Sequence, residues 1–261
     1  MDWETLIPRI AKGVFYGVAL LLAAGIVYGL TRLDYGVMVA YLDDLGRGAL
    51  LTVELVAISV AVGFCIAVPT ALLRASPRWW LSWPAYAYIF TFRGTPLLVQ
   101  IFLVYYGLAQ VDWVKDSFLW PYLREAYWCA LIAFTLNTAA YTAEIFRGAI
   151  QAVPAGEIEA AKAIGMSKAL MLRRVVLPRA FRICLPAYGN EIILMIKGSA
   201  LASTITLLDL TGMARTVIAR TYMPVEIFLA AGVIYFLLTF VFTRVFQRIE
   251  HRANRYLTAA R

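Results

Sequence analysis

Charge is scarce in this chain: only 15% of its 261 residues are Asp, Glu, Lys or Arg, whereas 62% are hydrophobic. A soluble domain averages about a quarter charged and about half apolar, so a water-soluble globule is excluded. Histidine is nearly absent, with His251 alone in a basic tail, which leaves little for His-based metal or acid–base chemistry. Cys65, Cys129 and Cys184 are isolated in apolar runs, and no CxxC pair exists to suggest a disulfide framework or a zinc site. No GxxxxGK[ST] phosphate loop occurs, so the chain by itself has no cradle for a nucleotide, and no GxSxG elbow marks a nucleophile. No Ser/His, His/Glu or paired-Asp constellation supports an intramembrane enzyme. The net charge of +8 would suggest nucleic acid in a soluble protein. Here its distribution explains it as membrane topology, and no nucleic-acid partner is expected.

What the chain has instead is long apolar runs. They predict an all-α integral membrane protein, with spans near 13–30, 49–73, 83–108, 126–146, 185–208 and 226–246. The first run follows Arg9 and Lys12 and contains Ala23-Ala24, as a signal peptide would, but it stays apolar past those alanines and is read as a retained span. Were it removed or interfacial, the other five would thread unchanged. Gly13, Gly17, Gly25 and Gly29 permit close helix contact in that run, or are chance glycines in a membrane helix. Trp79, Trp80 and Trp83 read as an aromatic belt. Sixteen basic residues fall on the side holding the N-terminus, 74–80, 147–184 and the tail, against six on the other. The positive-inside rule therefore places both termini and the 147–184 segment in the cytoplasm. Three divisions are expected: 1–46, an extra helix with its periplasmic connection; 47–250, the core; and 251–261, a basic tail.

Residues 157–178, EIEAAKAIGMSKALMLRRVVLP, form a polar island among these runs. Pro154 suits an early helical position, and Glu157 and Glu159 suit the positive end of a helix. Ile158, Ala161 and Ile164 share one helical face. Gly165 can take the left-handed conformation that ends a helix, Ser167 can cap the next, and Pro178 is expected to limit that second helix. The result is a short amphipathic hairpin whose small residues, Ala160 and Ala161, suit docking into a partner's groove.

Ionisable groups inside spans are costly and become functional candidates: Glu54, Arg93, Glu144, Glu191 and Lys197. Glu144 can simply pair with Arg147 three residues on. Arg93 precedes Gly94-Thr95-Pro96, where the proline frees a backbone carbonyl and bends the span; the cation either meets a carboxylate ligand or snorkels to phosphates. Asn190, Lys197 and Thr204 recur every seven residues and make a polar stripe, flanked by Glu191 and widened by Ser199 and Ser203. Such a stripe lines an aqueous path or joins a helix pair.

Glu159-Ala160-Ala161, three residues, Gly165, and then Leu177-Pro178 resemble the cytoplasmic coupling loop of ABC-importer permease subunits. Residues 92–100 (FRGTPLLVQ), 136–150 (LNTAAYTAEIFRGAI) and Gly189-Asn190-Glu191 are similar to polar amino-acid permeases, within which the likeness is greatest to histidine/lysine/arginine/ornithine and opine permeases. The resemblance runs from about Leu51 to Arg248. It implies a type I ABC-importer transmembrane domain of five core helices plus one extra N-terminal helix, in the bacterial inner membrane. It also implies two ATPase subunits that hold ATP and Mg, a second permease subunit, a periplasmic substrate-binding protein and a polar, basic amino acid or opine as cargo. This chain would bind no cofactor or metal and carry no catalytic residue. Glu157, Glu159, Ala160, Ala161, Gly165 and Ser167 would dock the ATPase, while Glu54, Arg93, Asn190, Glu191, Lys197, Ser199 and Thr204 would line the substrate pathway. Lys197-Gly198-Ser199-Ala200-Leu201 departs from the Lys-Asp-Thr-Ser-Leu often found there, and the extra first span departs from the five-helix core. An ion-coupled secondary transporter is the alternative, though inverted repeats are not seen and it would leave the hairpin unexplained.

Overall fold

Backbone N–H and C=O groups in hydrocarbon must find partners within their own segment, and the apolar runs accordingly fold as helices. A computed structural model describes residues 3–258; the chain ends at 1–2 and 259–261, including Arg261 of the basic tail, lie outside the described residues. Helix α1 (Trp3–Thr31) leads through α2 (Tyr35–Ala40) into α3 (Leu42–Arg74). Next come α4 (Trp79–Gly94) and α5 (Leu97–Phe102), the latter continued by a π-helical turn, Leu103–Gly107. Short helices α6 (Asp112–Lys115) and α7 (Trp120–Leu123) precede α8 (Ala126–Gln151). A hairpin of α9 (Ala155–Ala163) and α10 (Lys168–Met171) follows. It runs through a π-helical turn, Leu172–Val176, into α11 (Leu177–Gly198) and a 3₁₀ stretch, Ser199–Ile205. Helices α12 (Leu210–Thr221) and α13 (Pro224–Thr258) complete the chain.

Three of these helices, α3, α8 and α13, are long and apolar enough to cross a membrane unbroken. Two bent pairs, 79–94 with 97–107 at 106° and 168–205 with 210–221 at 48°, are together long and apolar enough to count as one span each, which brings the number to five. The five core spans are joined by α1, whose apolar stretch Val14–Gly29 presents its described large side chains outward, Leu20 at 71% exposure among them. A methyl group added at Gly17, Gly25 or Gly29 would meet nothing within 4 Å among the described residues; Gly13 lies outside this description.

Side chains pack in three layers along the bundle. At the hairpin end, Ala67 and Ala71 of α3, Ile89 of α4, Phe146 and Ala149 of α8, and Ala180 and Cys184 of α11 form one cluster. In the middle, Leu55, Ile101, Phe134, Ile192 and Ile205 form a second. At the far end, Leu45, Leu210, Val217 and Ile227 form a third. Small residues set the distances, because lipid tails are as apolar as leucine and helices associate by close packing. At Gly63 a Cβ would stand 2.5 Å from Thr138 Cγ2, so α3 and α8 touch backbone to side chain there.

Several boundaries differ from the sequence expectation. Helix α3 starts at Leu42, inside the acidic connection, because Asp43 and Asp44 favour a helix N-terminus and Asp43 pairs with Arg47 at 2.7 Å. The loop expected at 209–225 holds α12, whose N-terminus Asp209 caps by accepting from Gly212 N at 2.9 Å. Pro178 does not end the second hairpin helix. It sits in the first turn of α11 directly after the wide π-helical turn, where its missing N–H breaks no α-helical bond of an established helix.

Candidate functional site

The hairpin is built by its own backbone. After α9, Gly165 takes φ +77°, which costs glycine little. Its N–H bonds the Lys162 carbonyl at 2.9 Å, and the Met166 N–H bonds the Ala161 carbonyl at 3.1 Å, a Schellman closure. Ser167 then caps α10, its Oγ accepting from Leu170 N at 3.4 Å. Glu159, Ala160, Gly165 and Ser167 are exposed, while Glu157 is half-buried and pairs with Arg179 at 3.2 Å, tying α9 to the start of α11. Ala161 is buried against the bundle rather than turned outward, and Ile164, predicted on the same face, is exposed because α9 has already ended at Ala163. The hairpin thus rests on Ala161, Ile158 and Val153 and offers its other face to whatever lies beyond the membrane.

The broken span is organised around Pro96. A carbonyl at position 92 would ordinarily accept from N–H 96, which proline lacks. The buried Gln100 side chain supplies the donor: its Nε2 reaches the Phe92 carbonyl at 2.8 Å, the Thr95 carbonyl at 3.1 Å and Thr95 Oγ1 at 2.8 Å. Asn137 of α8 donates in turn to Gln100 Oε1 at 3.0 Å. The bend is therefore fixed to the central helix by an amide network, not left to solvent.

Two clefts flank this bend, and Tyr141 lines both. One, about 240 Å³, is walled by Thr95, Pro96, Leu97, Asn137, Tyr141 and Glu191. The other, about 330 Å³, is walled by Arg74, Tyr86, Arg93, Tyr141 and Glu144. Arg93 lies over the Tyr141 ring, 5.3 Å from its centroid. Glu191 is 7% exposed, and no hydrogen bond or ion pair to its carboxyl is found among the described residues. Glu144 does pair with Arg147 on its own helix, whose Nε donates to Oε2 at 2.9 Å.

The remaining candidates scatter. Glu54 stands nearer the far end and accepts from Tyr127 OH at 2.8 Å. Asn190 lines a separate cleft between α11 and α13, and Lys197 is exposed. Ser199 departs from expectation: it is fully buried, with its hydroxyl donating to the Ile196 carbonyl at 2.7 Å. Thr204 leaves the stripe's register because residues 199–205 wind as a 3₁₀ helix, which advances 120° per residue and accumulates roughly 100° over five residues. Gln100, Asn137 and Tyr141 were not singled out from sequence; the signal for Gln100 was a buried-type donor placed four residues after a proline.

A bent bundle with an outward hairpin and a cleft that holds Asn137, Tyr141 and Glu191 among apolar walls suits a membrane transport subunit. The chain's residues 60–255 match the family described as binding-protein-dependent transport system inner membrane component, and the chain belongs to that family. It is 55% identical over 203 residues to the octopine transport system permease protein of Rhizobium meliloti, across 78% of this chain and 83% of that protein. It is 44% identical over 206 residues to the histidine/lysine/arginine/ornithine transport system permease protein of Escherichia coli K12, across 78% of this chain and 87% of the other. Among solved structures it is similar to an amino acid ABC transporter crystallised with histidines, with a TM-score of 0.76 at 36% identity, covering 85% of this chain and 99% of that one. An inward-facing methionine ABC transporter shares the fold, with a TM-score of 0.70 at 18% identity over 82% of this chain and 98% of the other. The fold is the type I ABC-importer transmembrane domain, and the chain is a permease subunit.

Proposed function

We propose that this permease moves a basic amino acid or an opine from periplasm to cytoplasm by alternating access, with ATP and Mg held by two separate ATPase subunits. A second permease subunit and a periplasmic substrate-binding protein complete the machine. Both termini and the 147–184 coupling segment face the cytoplasm, as the base distribution favours. The core is 47–250, with 1–46 as an added helix and 251–261 as a tail. Glu157, Glu159, Ala160, Gly165 and Ser167 form the face for the ATPase, with Ala161 holding it from behind.

The observation that carries the substrate class is Glu191: a residue 7% exposed, with no hydrogen bond or ion pair to its carboxyl among the described residues, on a cleft whose Tyr141 wall supports Arg93. A buried charge is costly unless paired. A zwitterionic cargo supplies an ammonium or guanidinium for Glu191 and a carboxylate for Arg93. Asn190, Lys197, Thr204 and Glu54 lie on exposed surfaces where the second permease subunit or the moving cargo would meet them. The permease names of the relatives, octopine and histidine/lysine/arginine/ornithine, support the same class.

The test uses Glu191→Gln and Arg93→Met in the full complex in proteoliposomes, measuring uptake of arginine and of octopine. Each variant is expected to assemble, keep basal ATP hydrolysis and lose at least about tenfold in uptake, the equivalent of one charged hydrogen bond of about 1.5–3 kcal/mol. Full uptake of both cargoes by both variants overturns the assignment.

A further inference from the structure

Helix α13 is 35 residues long, about 50 Å at 1.5 Å per residue, and so outruns the roughly 30 Å hydrocarbon layer. One of its faces changes character along the way. Val233, Leu237, Phe240 and Val241 are exposed apolar side chains on that face. At the hairpin end the same face continues as Arg244, Arg248, His251 and Arg252, spaced i, i+4, i+7 and i+8. With Gln247 these four wall an open cleft of about 440 Å³. All four are exposed, and none has an ion-pair partner among the described residues. The nearest acid on the helix, Glu250, turns the other way and lines a cleft with Leu185, Pro186 and Asn190 of α11. Arg244 sits over the Phe240 ring at 5.0 Å, the posture of a cation held where apolar surface meets water.

We propose that this face binds an anionic phospholipid, its phosphate among Arg244, Arg248 and Arg252 and its acyl chains along Phe240, Leu237 and Val233. Charge complementarity and the unbroken apolar continuation together select that occupant. An acidic protein surface would match the arginines but leave the apolar half of the face without a reason, and a free phosphate would leave it bare. The site goes beyond the transport reading and depends only on α13 crossing the membrane.

The test is native mass spectrometry of the intact transport complex titrated with phosphatidylglycerol, phosphatidylcholine or inorganic phosphate. Phosphatidylglycerol is expected to be retained on the permease in preference to phosphatidylcholine, with inorganic phosphate failing to displace it. Combined Arg244→Gln, Arg248→Gln and Arg252→Gln is expected to weaken retention by more than about tenfold, since each juxtamembrane arginine is worth roughly fivefold near an anionic lipid. The triple Arg→Lys variant should retain the lipid and so separates charge from folding, and Lys115→Gln with Arg215→Gln and Arg220→Gln should change nothing. Equal retention of the two lipids, unchanged retention in the triple Gln variant, or displacement by phosphate overturns the proposal. So does loss of the ATPase subunits from the triple Gln variant with lipid retention intact, which would make the face a protein-docking surface.

Discussion

A proline within a membrane span removes one donor, and the Phe92 carbonyl is the group left short by Pro96. Gln100 replaces the missing N–H, and Asn137 holds Gln100 in turn. Because unmet polar groups in this setting cost about 1–3 kcal/mol each, Gln100→Leu is expected to lower the unfolding temperature of the detergent-solubilised subunit by several degrees. Gln100→Glu, which keeps the shape but not the donors, should fall as well, and an unchanged melting curve for both would contradict the network. Position 96 announced a bend in the sequence, and a free carbonyl with it. The identity of the donor was not legible, because Gln100 meets Phe92 only after the chain turns through 106°. Glu191 and Arg93 were legible as costly charges, but the tyrosine between their clefts was not, since Tyr141 lies on a different helix.

At the scale of elements, the hairpin is the most fully readable part, since its signals are local. A left-handed glycine, a serine cap and a carboxylate at a helix start each act within four residues, and the structure contains all three, with Glu157 alone in the first turn of α9 and Glu159 beyond it. Pro178 misled because a proline's effect depends on the turn before it, and the π-helical turn Leu172–Val176 is not a sequence-local signal. The polar stripe of α11 was read at 3.6 residues per turn and fails past Gly198, where the winding tightens. Gly165→Val places a β-branched side chain at φ +77°, a strain of about 1–3 kcal/mol borne by the hairpin alone. Co-purification of the ATPase with this variant is expected to drop sharply while membrane insertion persists, and Gly165→Asn, which tolerates that conformation, should retain it. Equal recovery of the ATPase with the valine variant and the unaltered chain would remove the hairpin from the docking role.

For the whole molecule, three packed layers bind the core spans, and both bent spans contribute to the middle one, with Ile101 from one and Ile196 from the other. Motion of the hairpin can therefore pass through Arg179 and α11 to the residues beside the bend without crossing a loop. The positions of the apolar helices were legible from hydropathy, because a bilayer demands long apolar runs. Which helices touch was not, since it depends on small residues such as Gly63 whose partners lie far away in sequence. As a permease subunit, this chain is the membrane passage of an importer, and its proposed driving force is ATP. The most direct test is uptake into proteoliposomes containing this permease, its ATPase, the second permease subunit and the binding protein. Accumulation of a basic amino acid or opine that requires both ATP and the binding protein is the expected result. Accumulation driven by an ion gradient with neither present would contradict it.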